Sequence, residues 1–217
     1  MRTYRVIESP VGPLTAVSTD GVLSGLYMAD AAHLPATFGE PSTHPADQPG
    51  SDQRGADQPG ADLHGGDQPG ADLRGAVQPG ADLRGAVQPG ADLRGADRHR
   101  ADQLEEELAE YFAGERTVFT VPTAAVGTPF QLRVWEQLAQ IPYGTTRSYL
   151  DLALALGDAR LVRAVGAANG RNPLSIVVPC HRVVGSDGTL TGYAGGVARK
   201  ELLLALEDPR RRADTLF

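Results

Sequence analysis

Short apolar runs broken by turn residues make the first thirty residues read as strands and turns. Tyr4, Val6 and Ile7 form a short apolar run that ends at Ser9-Pro10-Val11-Gly12-Pro13, and Leu14-Thr15-Ala16-Val17 follows. Asp20-Gly21 then marks a hairpin turn before Val22-Leu23 through Tyr27. These segments predict a small antiparallel sheet. The period becomes helical at Asp102: Leu104, Leu108, Tyr111 and Phe112 share one face, and Gly114 stops it. A β-branched linker, 118–126, leads to Thr128-Pro129-Phe130-Gln131, a capping box with proline in the first turn. Phe130, Val134, Trp135 and Leu138 give the buried face of that helix, which ends at Ile141-Pro142. Ser148 caps a helix over 149–156 that Gly157 ends, and Asp158 caps a second over 159–168 before Asn169-Gly170. Two short helices joined by a tight glycine turn predict a helix-turn-helix. Ile176-Val177-Val178 reads as a buried strand interrupted by Pro179, and a last helix runs from about Val197 to Leu206.

Between the sheet and the first helix the pattern is lost. Residues 46–95 are five ten-residue copies close to ADQPGADLRG, the last two identical, with eleven glycines, five prolines and no aromatic residue. The ADLRG half resembles a pentapeptide-repeat β-helix, but alternate pentads put Gln and Pro-Gly where an apolar centre is required. Five such copies do not bury enough apolar surface to offset the entropy of ordering fifty residues. A flexible, acidic-leaning surface insert is expected, and a long loop insertion costs a host fold little. The remaining 167 of 217 residues must supply the core. The expected fold class is therefore α+β: a small N-terminal antiparallel-sheet domain, a mostly helical C-terminal domain with a helix-turn-helix, and a disordered repeat insert.

Charge changes the picture along the chain more than in total. The net charge is −7, yet residues 121–217 carry +3, so any nucleic-acid contact is expected there. Basic residues are nineteen arginines and one lysine, Lys200. No apolar run approaches ~18 residues, so no membrane span is expected, and with no long apolar run after the early arginines of MRTYRVIESP no signal peptide is expected. The single cysteine, Cys180, excludes an internal disulfide and any multi-cysteine metal site. With only His33, His44, His64, His99 and His181 besides, no metal site and no cofactor is expected.

Cys180 is either an inert buried side chain or a reactive thiol. It sits in Pro179-Cys180-His181-Arg182-Val183, beside an imidazole and near Arg171 and Arg182, where a thiol pKa below ~8.5 is expected. Thiolate is the nucleophile, so that environment suits nucleophilic chemistry. On residue types alone three classes remain open: an alkyl acceptor, a Cys-His hydrolase using Cys180, His181 and Glu207, and a non-enzymatic helix-turn-helix regulator reading bases with Arg160 and Arg163.

The cysteine motif has co-linear company. Arg163-Ala164-Val165-Gly166 and Asn172-Pro173 precede it, and Gly192-Tyr193-Ala194-Gly195-Gly196 and Lys200 follow. Together they resemble the methylated-DNA–protein-cysteine methyltransferase family (O6-alkylguanine-DNA alkyltransferases), without a gap from about Gly127 to Glu207. Ser9–Leu14 and Leu104–Gly114 resemble its bacterial members, and only the repeat insert has no counterpart.

The resemblance implies two domains: an N-terminal α+β (ribonuclease H-like) domain over 1–120 that carries the insert, and a DNA-binding alkyltransferase domain over 121–217. It implies DNA repair by irreversible, single-turnover transfer of the alkyl group of O6-alkylguanine, with O4-methylthymine as a further substrate, to Cys180. His181, activated by Glu207, would deprotonate the thiol through a water. Asn172 would brace the active-site turn, and Tyr149 would donate its hydroxyl to the departing guanine. Val183 and the loop with Tyr193, Ala194 and Gly195 would border the base pocket. Arg163 would fill the space left by a flipped base from a helix docked in the minor groove of double-stranded DNA. Arg160, Arg171, Thr145, Thr146, Arg147 and Ser148 are candidate phosphate contacts. A monomer in the cytoplasm is expected. The insert is expected to be dispensable, so a chain lacking residues 46–95 should transfer methyl groups at the full rate.

Overall fold

A computed structural model describes residues 1–41 and 93–208, with backbone alone for 93–99. The reading of 46–95 as a disordered insert lies outside the described residues, apart from Leu93-Arg94-Gly95. Those three open α1 (Leu93–Ala113), so this helix begins earlier than the expected Asp102. No proline falls between Pro89 and the end of this helix, and Leu, Arg and Ala favour helix, which outweighs the single Gly95 inside it. All described residues fall in one compact unit.

β1 (Arg2–Ile7), β2 (Leu14–Thr19) and β3 (Val22–Met28) form an antiparallel meander, and β4 (Glu40–Pro41) adds to the free edge of β1 in parallel. The β2–β3 turn uses Asp20 and Gly21 with φ of 49° and 77°, the conformation that an Asp-Gly pair adopts most readily. One detail departs from the sequence pattern. Thr3, Arg5 and Ile7 face inward from β1, while Val6 is exposed. The inward guanidinium of Arg5 is paired with Asp102 at 2.6 Å and Glu105 at 3.3 Å on α1, which compensates the buried charge.

α1 lays Leu104, Leu108 and Tyr111 against the sheet, all essentially inaccessible to solvent. Each buried leucine contributes roughly 2 kcal/mol. This first core cluster also takes in Val121, Leu174, Ile176 and Leu203 from beyond residue 120. A second cluster is built from α2 (Pro129–Ala139), α3 (Tyr149–Ala155) and α4 (Val162–Gly170), with Cys180 and Val183 buried in it. Thr128 and Gln131 close the expected capping box on α2, and Trp135 donates to the Ala168 carbonyl at 2.9 Å, tying α2 to α4.

The helix expected over 159–168 is divided. Asp158 caps a single 3₁₀ turn, Ala159–Leu161, and α4 starts at Val162 and runs on to Gly170. Segment 176–178 is not a strand. Ile176 has φ of 72° and lies in a chain of tight turns. Leu174 makes only an isolated parallel bridge to Leu26 of β3, Ser175 N–H donating to Leu26 O and Leu26 N–H to Pro173 O, and the chain turns away over 175–177. A buried β-branched residue at positive φ stores about 1–3 kcal/mol, tolerable only where neighbours over-determine it. A second 3₁₀ turn, Cys180–Arg182, follows, and then β6 (Val183–Val184), whose parallel pairing with β5 (Arg147–Ser148) sets the start of α3 beside the cysteine turn. α5 (Val197–Glu207) closes the fold. Among the described residues no helix is long and apolar enough to cross a membrane.

Candidate active site

Cys180 is 3% exposed and opens its 3₁₀ turn. A cleft of about 440 Å³ has walls that include Tyr149, Gly166, Gly192, Tyr193 and Ala194; the thiol does not itself line it. Tyr149 and Tyr193 pack against the cluster that contains the thiol. The turn is held from several sides. Asn172 donates from Nδ2 to Val178 O at 2.7 Å and accepts from Leu174 N–H at 3.0 Å, and Asn169 donates to Cys180 O at 3.5 Å.

The thiol itself departs from expectation. Burial pushes its pKa up, although the Asn172 amide and the Lys200 charge pull the other way. The nearby arginines do not help it: Arg171 is exposed, and Arg182 is committed to Glu207. Sequence neighbours of a cysteine need not be its electrostatic neighbours. At rest Cys180 is a protonated, sheltered thiol.

Next to it is a buried charge network. Glu207 is 4% exposed and accepts five hydrogen bonds. Oε1 takes Tyr111 Oη–H at 2.8 Å, His181 Nε2 at 2.9 Å and Arg182 Nη2 at 2.9 Å; Oε2 takes Arg182 Nε at 2.8 Å and Gly144 N–H at 3.3 Å. These partners outweigh desolvation and hold its carboxyl down at about 2. An ionised Glu207 requires Nε2 of His181 to carry the proton, so Nδ1 is the free base. Nδ1 is buried and has no protein partner. Burial lowers the pKa of the imidazole despite the adjacent carboxylate, which leaves it neutral near pH 7.

Lys200 is fully buried and donates to Val183 O at 2.6 Å and Thr191 O at 2.8 Å, fastening β6 to the cleft loop; burial lowers its ammonium to about 8. Tyr149 Oη lies 3.2 Å from both Thr191 O and Gly192 O at the cleft wall. Tyr193 lines the cleft with its hydroxyl buried and unpartnered. Ala194 lines it as well, anchored by Ala32 N–H. Gly195 lies at the loop base, where a Cβ would fall 2.1 Å from Met28 Sδ. Val183 does not line the cleft; it is wholly buried.

The candidate DNA residues lie apart from this centre. Arg163 is exposed in the first turn of α4, beside exposed Ala164 and Ala167. Arg160 is paired with Asp158 at 2.7 Å. Thr145 donates its hydroxyl to Pro142 O, Arg147 is exposed on β5, and Ser148 caps α3 together with Asp151. The Asp151 carboxylate thus already occupies part of the N-terminal site expected for a phosphate.

Two residues around the site were not singled out by sequence reasoning: Tyr111 was legible only as a core position, and Asn169 only as a helix end. Lys200 was noted as the sole lysine and as part of the motif, without a role. Among the described residues no group of His, Cys, Asp and Glu is arranged to hold a metal.

Residues 129–209 match the family model described as 6-O-methylguanine DNA methyltransferase, DNA binding domain. The methylated-DNA–protein-cysteine methyltransferase of Mycobacterium tuberculosis is 39% identical over 215 residues, covering 99% of this chain and 98% of that protein. The Salmonella typhimurium protein of the same name is 60% identical over 105 residues, 48% of this chain and 61% of its own. The crystal structure of Mycobacterium tuberculosis OGT in complex with DNA superposes with a TM-score of 0.64 at 38% identity, covering 96% of this chain and 94% of that one. A buried cysteine and a histidine held by a buried carboxylate thus occur in a chain that is similar to the Mycobacterium tuberculosis protein over nearly its whole length. The chain belongs to the methylated-DNA–protein-cysteine methyltransferase family.

Proposed function

We propose that Cys180 is the one-use acceptor for an alkyl group removed from O6-alkylguanine in DNA, and that the Glu207–His181 pair activates it. The protein is a DNA-repair methylated-DNA–protein-cysteine methyltransferase. The observation that carries the residue assignment is the unpartnered Nδ1 of a neutral, buried His181 one residue from the thiol, with Nε2–H held by ionised Glu207.

In the proposed step the thiol proton passes through a bridging water to His181 Nδ1. Cys180 Sγ attacks the alkyl carbon in line with the C–O6 bond. An S–C bond forms, the C–O6 bond breaks, and its electron pair stays on guanine O6. The developing charge is met by the Tyr149 hydroxyl, which turns from the loop carbonyls toward the base. The imidazolium is stabilised by Glu207. The product thioether has no leaving group that water displaces readily, so each chain acts once. No cofactor enters the scheme.

The depth of Cys180 requires the target base to leave the duplex stack. Arg163, on an otherwise small-residue face of α4, is the residue placed to fill the gap from the minor groove, with residues 121–217 as the DNA-binding part and 1–120 as the N-terminal part. Phosphate contacts fall to Arg147, Thr145 and Ser148, with Arg160 oriented by Asp158. Val183 acts by presenting its carbonyl to Lys200. Tyr193, Ala194 and Gly195 border the base. A monomer acting in the cytoplasm completes this reading.

The reading is tested by incubating the protein with a duplex carrying O6-methylguanine and locating the methyl group by peptide mass spectrometry. One methyl per chain on the Cys180 peptide is expected; an unmodified Cys180 alongside a persistent lesion would overturn it. Arg163→Ala should slow repair of duplex by on the order of ten- to a hundredfold, the cost of unassisted unstacking. Transfer from free O6-benzylguanine should keep its rate, and an equal loss on both substrates would assign Arg163 a structural role instead.

A further inference from the structure

We infer that Tyr111, contributed by α1 in the N-terminal part of the chain, is a positioning residue for proton transfer from Cys180. The inference rests on the assignment of His181 and Glu207 as the relay.

Tyr111 is fully buried in the first core cluster, and its sequence pattern accounts for that burial without any need for a hydroxyl. Phenylalanine would fill the same place among Phe112, Phe119 and Tyr143, whose rings lie 5.3, 5.4 and 6.1 Å away centroid to centroid. The hydroxyl nevertheless crosses from that cluster to Glu207 Oε1, at 2.8 Å, across 96 residues of sequence. Oε1 is the oxygen that holds His181 Nε2. A phenol beside a buried carboxylate stays protonated, since both burial and the Glu207 charge push its pKa up. It can therefore only donate.

Two consequences follow for the relay. The first is orientation. Arg182 grips both carboxylate oxygens from the cysteine turn, and Tyr111 adds a donor from a different element, so the plane of the carboxylate is set by α1 as well as by its own helix. The second is basicity. Each donor on Oε1 draws off charge that would otherwise stabilise the imidazolium. The charged and titratable groups that act on His181 and Glu207 are Arg182 on the cysteine turn, Lys200 on α5 and Tyr111 on α1. Arg182 and Lys200 oppose a charge on His181, and Glu207 favours it. Tyr111 weakens the favourable partner, and so keeps Nδ1 unprotonated and ready to accept at neutral pH.

Removing the hydroxyl should have a signature that a packing defect lacks. In Tyr111→Phe, Glu207 is a stronger partner for the imidazolium, His181 titrates at higher pH, and the acidic limb of the rate profile moves upward. The experiment is the single-turnover rate of methyl transfer from an O6-methylguanine duplex to the full chain, measured from about pH 5 to 9. Near neutrality a loss of about tenfold is expected, the size of one hydrogen bond to a charged group. The deficit should shrink as pH rises, and the His181 ring-nitrogen shifts in NMR should move with the same midpoint. A profile parallel to that of the original protein, whether lowered or unchanged, would overturn the inference while leaving Cys180 as acceptor. Absence of methyl on Cys180 in the unsubstituted protein would overturn the underlying assignment instead.

Discussion

Replacing Cys180 by alanine is expected to leave O6-methylguanine in duplex DNA untouched at any protein excess, while the protein still binds that DNA. The acceptor has no substitute: Cys180 is the chain's only cysteine, and the other buried groups near the cleft are a neutral imidazole, a carbonyl-bound lysine and two phenols. Cys180→Ser is a finer test. It keeps a nucleophilic atom in place but offers His181 a hydroxyl, far less acidic than a thiol, so a loss on the order of a thousandfold or more is expected. The exposed face of α4 is untouched in both variants, and a mobility shift on duplex DNA should persist. Full lesion removal by Cys180→Ala would overturn the assignment of the acceptor. The raised thiol and lowered imidazole also set the pH dependence. A sheltered thiol needs its base, so the rate should hold across neutral pH and fall only once His181 protonates, below the ordinary imidazole range.

The second large effect is on stability. Arg182→Leu removes the guanidinium that binds Glu207 at 2.8 and 2.9 Å and Ile141 O at 2.5 Å. A carboxylate 4% exposed is then left without its counter-charge. Breaking one partner out of a buried pair costs about 3–5 kcal/mol, which for a chain of this size lowers the melting temperature by roughly 10 °C or more. The pH dependence has a definite sign. The folded carboxyl sits at about 2, below its ordinary 4.5. Its contribution is therefore complete above the unfolded value and is lost as pH falls from there toward 2. Without Arg182 the folded value rises, so the difference in melting temperature between the two proteins should narrow on acidification. A difference that stays constant down to the acid limit, or no difference at neutral pH, would show that the pair does not stabilise the fold.

Much of the architecture was legible in the chain because it depends on local rules. Asp20-Gly21 demands a positive-φ turn, Thr128-Pro129-Phe130-Gln131 is a self-contained cap, and Leu104, Leu108 and Tyr111 recur at helical spacing. Each of those signals spans at most a dozen residues; the turn and the cap formed where they were expected, and the helix formed with an earlier start, at Leu93. Local reading failed at 176–178, where three β-branched or apolar residues suggested a strand. There the chain makes only an isolated bridge to Leu26, some 150 residues away in sequence, and then turns at Ile176. In β1 an inward arginine, Arg5, had no sequence signal; it is met by two carboxylates that α1 supplies.

For the site the division is similar. The chain by itself determined which atoms could do chemistry: one thiol, an imidazole beside it, a carboxylate ending the last helix, and a specific motif around them. Residue type and spacing are enough for that, because nucleophile, base and turn are encoded within a few positions of each other. Only the tertiary structure decided their charge states. Arg182, which by sequence adjacency seemed placed to acidify Cys180, turns away to neutralise Glu207, and burial raises the thiol. Tyr111, legible only as a core aromatic, proves to be a donor to the same carboxylate. Burial and the hydrogen-bond partners of a charge are set by elements distant in sequence, so a pKa belongs to the fold rather than to the motif.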